Sequence, residues 1–196
     1  MHFEFIKKKI NYYLDNNWFF SAMLYCEKLV NKDNSQLSRF QYADVLRLCG
    51  FFSKSEAIFM QIDIEDIPDN YKYIYHLYFA RLLMDMNKVE EAKNQLKTCM
   101  EFENCDTSPY IYMADLLRDE KNNDEAIFFL QKALEKQGDT DEVYYNLATR
   151  YANKGNINMA IKMINNCLDL DPSYPNAMNM KKDFQEFQAI QNLSIE

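Results

Sequence analysis

The chain has 196 residues with 48% hydrophobic content, enough apolar material for one ordinary domain or a short repeat array. Only 3 Gly and 4 Pro punctuate it, which argues against an all-β fold built on many tight turns and against a disordered chain. The 22 basic and 30 acidic residues leave a net charge of −8, which argues against nucleic acid as a partner because that binding needs a basic face.

In chain order, the first 35 residues hold two apolar helical stripes around Ile6, Ile10, Tyr13, Ala22, Cys26 and Leu29. Residues 36–72 repeat the pattern with Tyr42, Ala43, Leu46, Gly50, Ser55 and Phe59. From there the pattern becomes strict: Ala80, Ala114 and Ala148 lie 34 residues apart, and so do Ala92, Ala126 and Ala160. A fixed period of 34 with two small residues twelve apart marks an array of helix–turn–helix units. The units are 3–35, 36–72, 73–106, 107–140 and 141–174. The step from Ser55 to Ala92 is 37, and the turn-rich Ile67-Pro68-Asp69-Asn70 is the expected place for the insertion. Thr107 or Ser108 is the expected cap of the helix that contains Pro109. After Pro175 the period stops, but Ala177, Met180, Phe184 and Phe187 form one more amphipathic stripe, a closing helix over 175–191. Residues 1–191 therefore read as one domain, with 192–196 as a frayed tail.

The last unit carries Tyr144, Leu147, Ala148, Tyr151, Gly155, Ala160, Ile164, Cys167 and then Asp171-Pro172. This run resembles the tetratricopeptide repeat (TPR), and the resemblance covers most of the chain. It implies an all-α, right-handed solenoid in which the helices A and B of each repeat meet at small residues in positions 8 and 20. Position 15 closes the turn between them, where a left-handed backbone suits Gly50, Asn87 and Gly155 but not Lys121. Ile10 and Lys9 depart from the pattern, as a terminal repeat with no neighbour allows.

The resemblance also implies a groove for protein or peptide partners along the A helices. Its expected lining is Lys7, Asn11, Phe40, Asp44 and Arg47 early in the chain. Leu77, Arg81 and Met84 follow, and then Ile111, Asp115, Arg118, Tyr145 and Thr149. A carboxylate clamp of the chaperone-binding kind would begin at Lys7 and Asn11, but Gln41, Ile74 and Tyr78 stand where its remaining polar residues belong.

No constellation for catalysis or cofactor binding is present. The three glycines are isolated, and neither His-Glu-x-x-His nor Gly-x-Ser-x-Gly occurs. His76 holds a packing position, and Glu90-Glu91 lies on a solvated helix face. The five cysteines include no Cys-x-x-Cys pair and read as small buried hydrophobes, so neither a metal nor a cofactor is expected. No stretch approaches the ~18 apolar residues of a membrane helix, and the N-terminus lacks the order of a secretory signal. Cytoplasm or nucleus is the expected location, and a non-enzymatic scaffold or adaptor the expected role.

A second surface is expected at the A–B turns, where Trp18, Phe20 and Phe51 are free of packing duty. Residues 13–30 and 42–50 are similar to the opening repeats of the TPR subunits of the anaphase-promoting complex, a ubiquitin ligase. That similarity implies a self-associating complex subunit that dimerises through its N-terminal repeats. A monomeric adaptor that binds an extended peptide or helix, in the manner of a co-chaperone, is the alternative.

Overall fold

The computed structural model describes residues 3–119 and 122–193. The described residues are all-α, in the tetratricopeptide repeat fold. The first helices are α1 (Phe3–Asp15), α2 (Phe19–Val30), α3 (Gln36–Leu48) and α4 (Phe52–Phe59). A 3-10 turn, Ile64–Asp66, leads into α5 (Asp69–Asp85) and α6 (Val89–Met100). There follow α7 (Ser108–Asp119), α8 (Asn123–Ala133), α9 (Thr140–Asn153), α10 (Ile157–Leu170) and α11 (Pro175–Leu193). None of these is long and apolar enough to cross a membrane.

The A–B turns are built alike. Asn17, Gly50, Asn87 and Gly155 all take positive φ, between 57° and 80°. The next amide then reaches back to a carbonyl five residues earlier: Trp18 to Tyr13, Phe51 to Leu46, Lys88 to Leu83 and Asn156 to Tyr151. That bond satisfies carbonyls orphaned at the end of helix A and sets the angle at which helix B leaves. Asn122 makes the same bond to Leu117, although Lys121, the misfit at position 15, lies outside the described residues.

Two compact units divide near the end of α6, residues 1–99 and 100–196. In the first, Ile6, Ile10, Ala22, Cys26, Leu29 and Val45 form one buried cluster. A second, aromatic cluster joins Phe40, Phe59, Tyr75 and Phe79, with ring centroids 5.1–6.2 Å apart. The position-20 residue Ser55 is fully buried and its hydroxyl donates to the Ala43 carbonyl at 2.6 Å, so the small-residue crossing carries a hydrogen bond here. α5 starts at Asp69, and the connection that precedes it, residues 60–68, holds the 3-10 turn, so the extra residues fall in both the helix and its approach.

In the second unit Ala114, Ala126, Ala148 and Ala160 are at most 1% exposed, among Met113, Leu130, Leu147 and Ile164. Contrary to expectation, the Thr107 side chain does not cap α7. Its hydroxyl accepts from the Asp139 amide at 3.1 Å, and the Ser108 amide is capped by the Asp106 carboxylate at 2.8 Å. The Thr107 amide donates to the Gln137 carbonyl at 3.1 Å, so the loops before α7 and before α9 are tied to each other. α11 buries Ala177 and Phe184 and exposes most of its remaining surface.

Candidate partner-binding surfaces

In the first unit the helices α1, α3 and α5 line a cleft of about 200 Å³. Ile10 and Leu14 come from α1, Leu37, Phe40, Gln41, Asp44 and Val45 from α3, and Tyr71, Ile74 and Tyr78 from α5. A second cleft of about 230 Å³ shares Ile10, Leu37, Gln41 and Tyr71 with it and adds Lys7, Asn11, Asp33 and Ser38. The two make one groove, apolar at one end and polar at the other.

The charged groups around it are engaged. Arg47 donates to Asp44 at 2.9 Å and to Asp85 at 2.9 Å, which ties α3 to α5. Burial opposes the Arg47 charge, but Asp44 and Asp85 outweigh it and raise its pKa. At the polar end Asp33 accepts from the hydroxyls of Ser38 and Ser35 at 2.8 and 2.9 Å, and these bonds hold its carboxyl below the usual range, helped by Lys7. Ser35 also caps α3 through the Ser38 amide.

The expected lining residues divide into two groups. Lys7, Asn11, Phe40 and Asp44 meet in this groove. Arg47, Leu77 and Ile111 are at most 8% exposed and serve packing or an ion pair, and Phe40, at 3%, offers only a floor. Arg81 lies over the Tyr78 ring at 5.7 Å, and Met84 is half-buried. In the second unit Asp115 faces Arg150 at 3.4 Å and Arg118 at 3.8 Å. Tyr145 stacks on Tyr174 at 5.3 Å, and the Thr149 hydroxyl donates to the Tyr145 carbonyl at 3.1 Å. Tyr174 is pushed up to about 12 by burial, Glu142 and Cys167.

Tyr71, Ile74 and Tyr78 lay outside the expected lining. They form an i, i+3, i+7 stripe on a helix whose other sides bury Tyr73, Tyr75, Leu77, Phe79 and Leu82. A helix that is apolar all round does not reveal from sequence which stripe faces the opening.

The A–B turn aromatics are exposed, Trp18 at 54%, Phe20 at 62% and Phe51 at 38%, but they do not form a single cluster. Phe20 meets Phe51 edge-on at 6.3 Å. Trp18 stacks instead on Tyr13 at 5.9 Å and meets Tyr12 edge-on at 6.1 Å. The cysteines behave as buried hydrophobes: Cys26, Cys99, Cys105 and Cys167 are buried and Cys49 is partly so. Among the described residues no group of His, Cys, Asp or Glu could hold a metal ion. His76 Nδ1 lies 2.7 Å from the Gln95 side-chain oxygen, as a packing histidine with a satisfied polar atom would.

Paired helices closed by left-handed turns, crossing at small residues 34 apart, define a tetratricopeptide repeat protein. Within that class, the family profile of the CNOT10 tetratricopeptide repeat domain matches residues 53–182, and the chain belongs to this family. No curated protein matches it significantly. Among solved structures, YrrB, described as a TPR protein with an unusual peptide-binding site, aligns with a TM-score of 0.62 at 20% identity, covering 88% of each chain. The thermophilic TPR protein TTC0263 of Thermus thermophilus aligns with a TM-score of 0.75 at 12% identity over 94% of this chain and 99% of its own. The anaphase-promoting complex hetero-tetramer Cut9–Hcn1 aligns at 0.70 and 16% identity over 91% of this chain and 35% of its own. These likenesses support the fold. TPR families are generally non-catalytic interaction modules, and the fold implies a protein–protein interaction scaffold.

Proposed function

We propose that the chain is a non-catalytic adaptor whose A-helix groove in residues 1–99 holds a segment of a protein partner. The observation that carries this reading is the continuous groove between α1, α3 and α5, with Phe40, Ile74 and Tyr78 at one end and Lys7, Asn11 and Gln41 at the other. The apolar end is large enough for a single ring-sized side chain: a cavity of about 150 Å³ lined by Leu, Ile and Phe accepts benzene. The polar end offers two amides and a lysine to an extended backbone. YrrB's described peptide-binding site adds support by analogy. Five free thiols go with a cytoplasmic or nuclear location.

The test is purification of the tagged chain from its own cells with identification of bound proteins, beside an Ile74→Asp variant of unchanged circular dichroism. A partner lost only from the variant supports the groove. Partners retained in full by the variant refute it. The narrower reading, a self-associating subunit of an anaphase-promoting type of complex, rests on the N-terminal sequence similarity. Light scattering at tens of micromolar decides it, since a strict monomer removes the dimer.

A further inference from the structure

At the N-terminal end of the array α1 packs against α2 and α2 against α3, and the side of α1 that carries Phe5 and Tyr12 is aromatic and exposed. Tyr13 lies 5.4–5.9 Å from the rings of Tyr12, Trp18 and Tyr25. The Lys9 ammonium sits 5.5–5.9 Å from the ring centroids of Phe5, Tyr12 and Tyr13, and Lys28 sits 4.9 Å from that of Tyr25. Phe5, Tyr12 and Trp18 stay 44–54% exposed despite these contacts.

Two features of this face select an occupant. The first is area. Three half-exposed aromatics at about 150–250 Å² each offer on the order of 300 Å² of apolar surface. A stable dimer needs about 800 Å² per partner, so the face suits one helix or short segment better than a second globular copy. The second is charge. Among the described residues neither Lys9 nor Lys28 is within ion-pair range of a carboxylate, and their ammonium groups rest on ring faces. A two-fold pairing brings the same two lysines to both sides of the interface, whereas a segment with acidic flanks pairs them. The acidic residues of the same helices are Glu4, Asp15 and Glu27, all exposed, and Glu27 acts on Tyr42 of α3.

We infer that this edge is a second docking surface, separate from the groove, for an amphipathic segment of a partner protein with large apolar residues on one side and Asp or Glu flanking that side. Lys9 and Lys28 make the ion pairs, and the exposed rings take the apolar side.

Trp18 is the only tryptophan of the chain, so its emission reports occupancy of this face. The probes are two synthetic helical peptides with the same Leu and Phe face, one with glutamates flanking that face and one with lysines there. Titrated into the full chain in low salt, the glutamate peptide is expected to shift Trp18 emission to saturation and to bind at least about tenfold tighter than the lysine peptide, a preference that shrinks as salt is added. The double variant Lys9→Gln with Lys28→Gln is expected to lose most of that preference, and Ile74→Ser in the groove to leave it unchanged. Equal binding of the two peptides, or Trp18 emission that neither moves, overturns the inference. So does glutamate-peptide binding abolished by Ile74→Ser, which would place that peptide in the groove. A dimeric mass with Trp18 already shielded from iodide quenching also overturns it, since a second copy then holds the face.

Discussion

Gly138→Ala is expected to be among the most damaging single-methyl substitutions in the second unit. Gly138 has φ +133°, a conformation that costs an L-residue roughly 1–3 kcal/mol. A Cβ built there lies 2.5 Å from the Thr107 hydroxyl, 3.2 Å from the Thr107 amide nitrogen and 3.3 Å from its Cβ. The hydroxyl must move and release the Asp139 amide, a further loss of about 0.5–1.5 kcal/mol. The sum is about 2–4 kcal/mol, or roughly 5–15 °C in melting temperature for a chain of this size. Thermal and urea unfolding followed by far-ultraviolet circular dichroism measures it. In a Thr107→Ala background the hydroxyl clash is gone, so the same glycine change should cost about 1 kcal/mol less. A Gly138→Ala variant within about 0.5 °C of wild type, or one whose cost is the same in both backgrounds, refutes the account of the two tied loops.

Other substitutions test the repeat crossings and the charges. Ser55→Ala removes the hydroxyl bond to Ala43 and should cost about 1 kcal/mol in urea unfolding. Ala160→Leu forces extra atoms into a fully buried crossing and should cost about 1–3 kcal/mol, visible as an earlier thermal transition. Glu142 titrates above its ordinary range because burial, Asp139, Asp115 and Asp141 oppose its charge. The folded state therefore holds that proton longer than the unfolded chain, and stability falls as pH rises from the ordinary glutamate range through the raised folded value. Glu142→Gln should remove this slope and leave the protein more stable at neutral pH, which melting curves across that range report. Burial, Asp44 and Cys49 push the Cys26 thiol up to about 12, and burial, Asp141 and Asp171 take Cys167 to about 11. Iodoacetamide should therefore label the partly exposed Cys49 first and reach Cys26 and Cys167 only on unfolding, as peptide mass mapping would show.

The 34-residue period determined the fold class, because a close crossing of two helices at positions 8 and 20 favours small residues, and such constraints recur wherever the unit recurs. The left-handed turns were legible for the same local reason: Gly50, Asn87 and Gly155 relieve a strain fixed by the backbone alone. The cysteines and His76 were assigned to packing by their place in the period, and their burial and bonding agree.

What faces the groove depended on how much each helix rotates against its neighbours, and this is set by packing between elements distant in sequence. The aromatic cluster of Phe40, Phe59, Tyr75 and Phe79 seats α5 so that Tyr71, Ile74 and Tyr78 point to the opening while Leu77 turns inward. Arg47, a candidate groove residue by position, is drawn between Asp44 and Asp85. The aromatic residues of the first turn were visible in the sequence, but their division into a Phe20–Phe51 contact and a separate Trp18 stack on Tyr13 was not. Neighbouring residues on a turn point in different directions, and only the packing of α1 against α2 decides which ring each one meets.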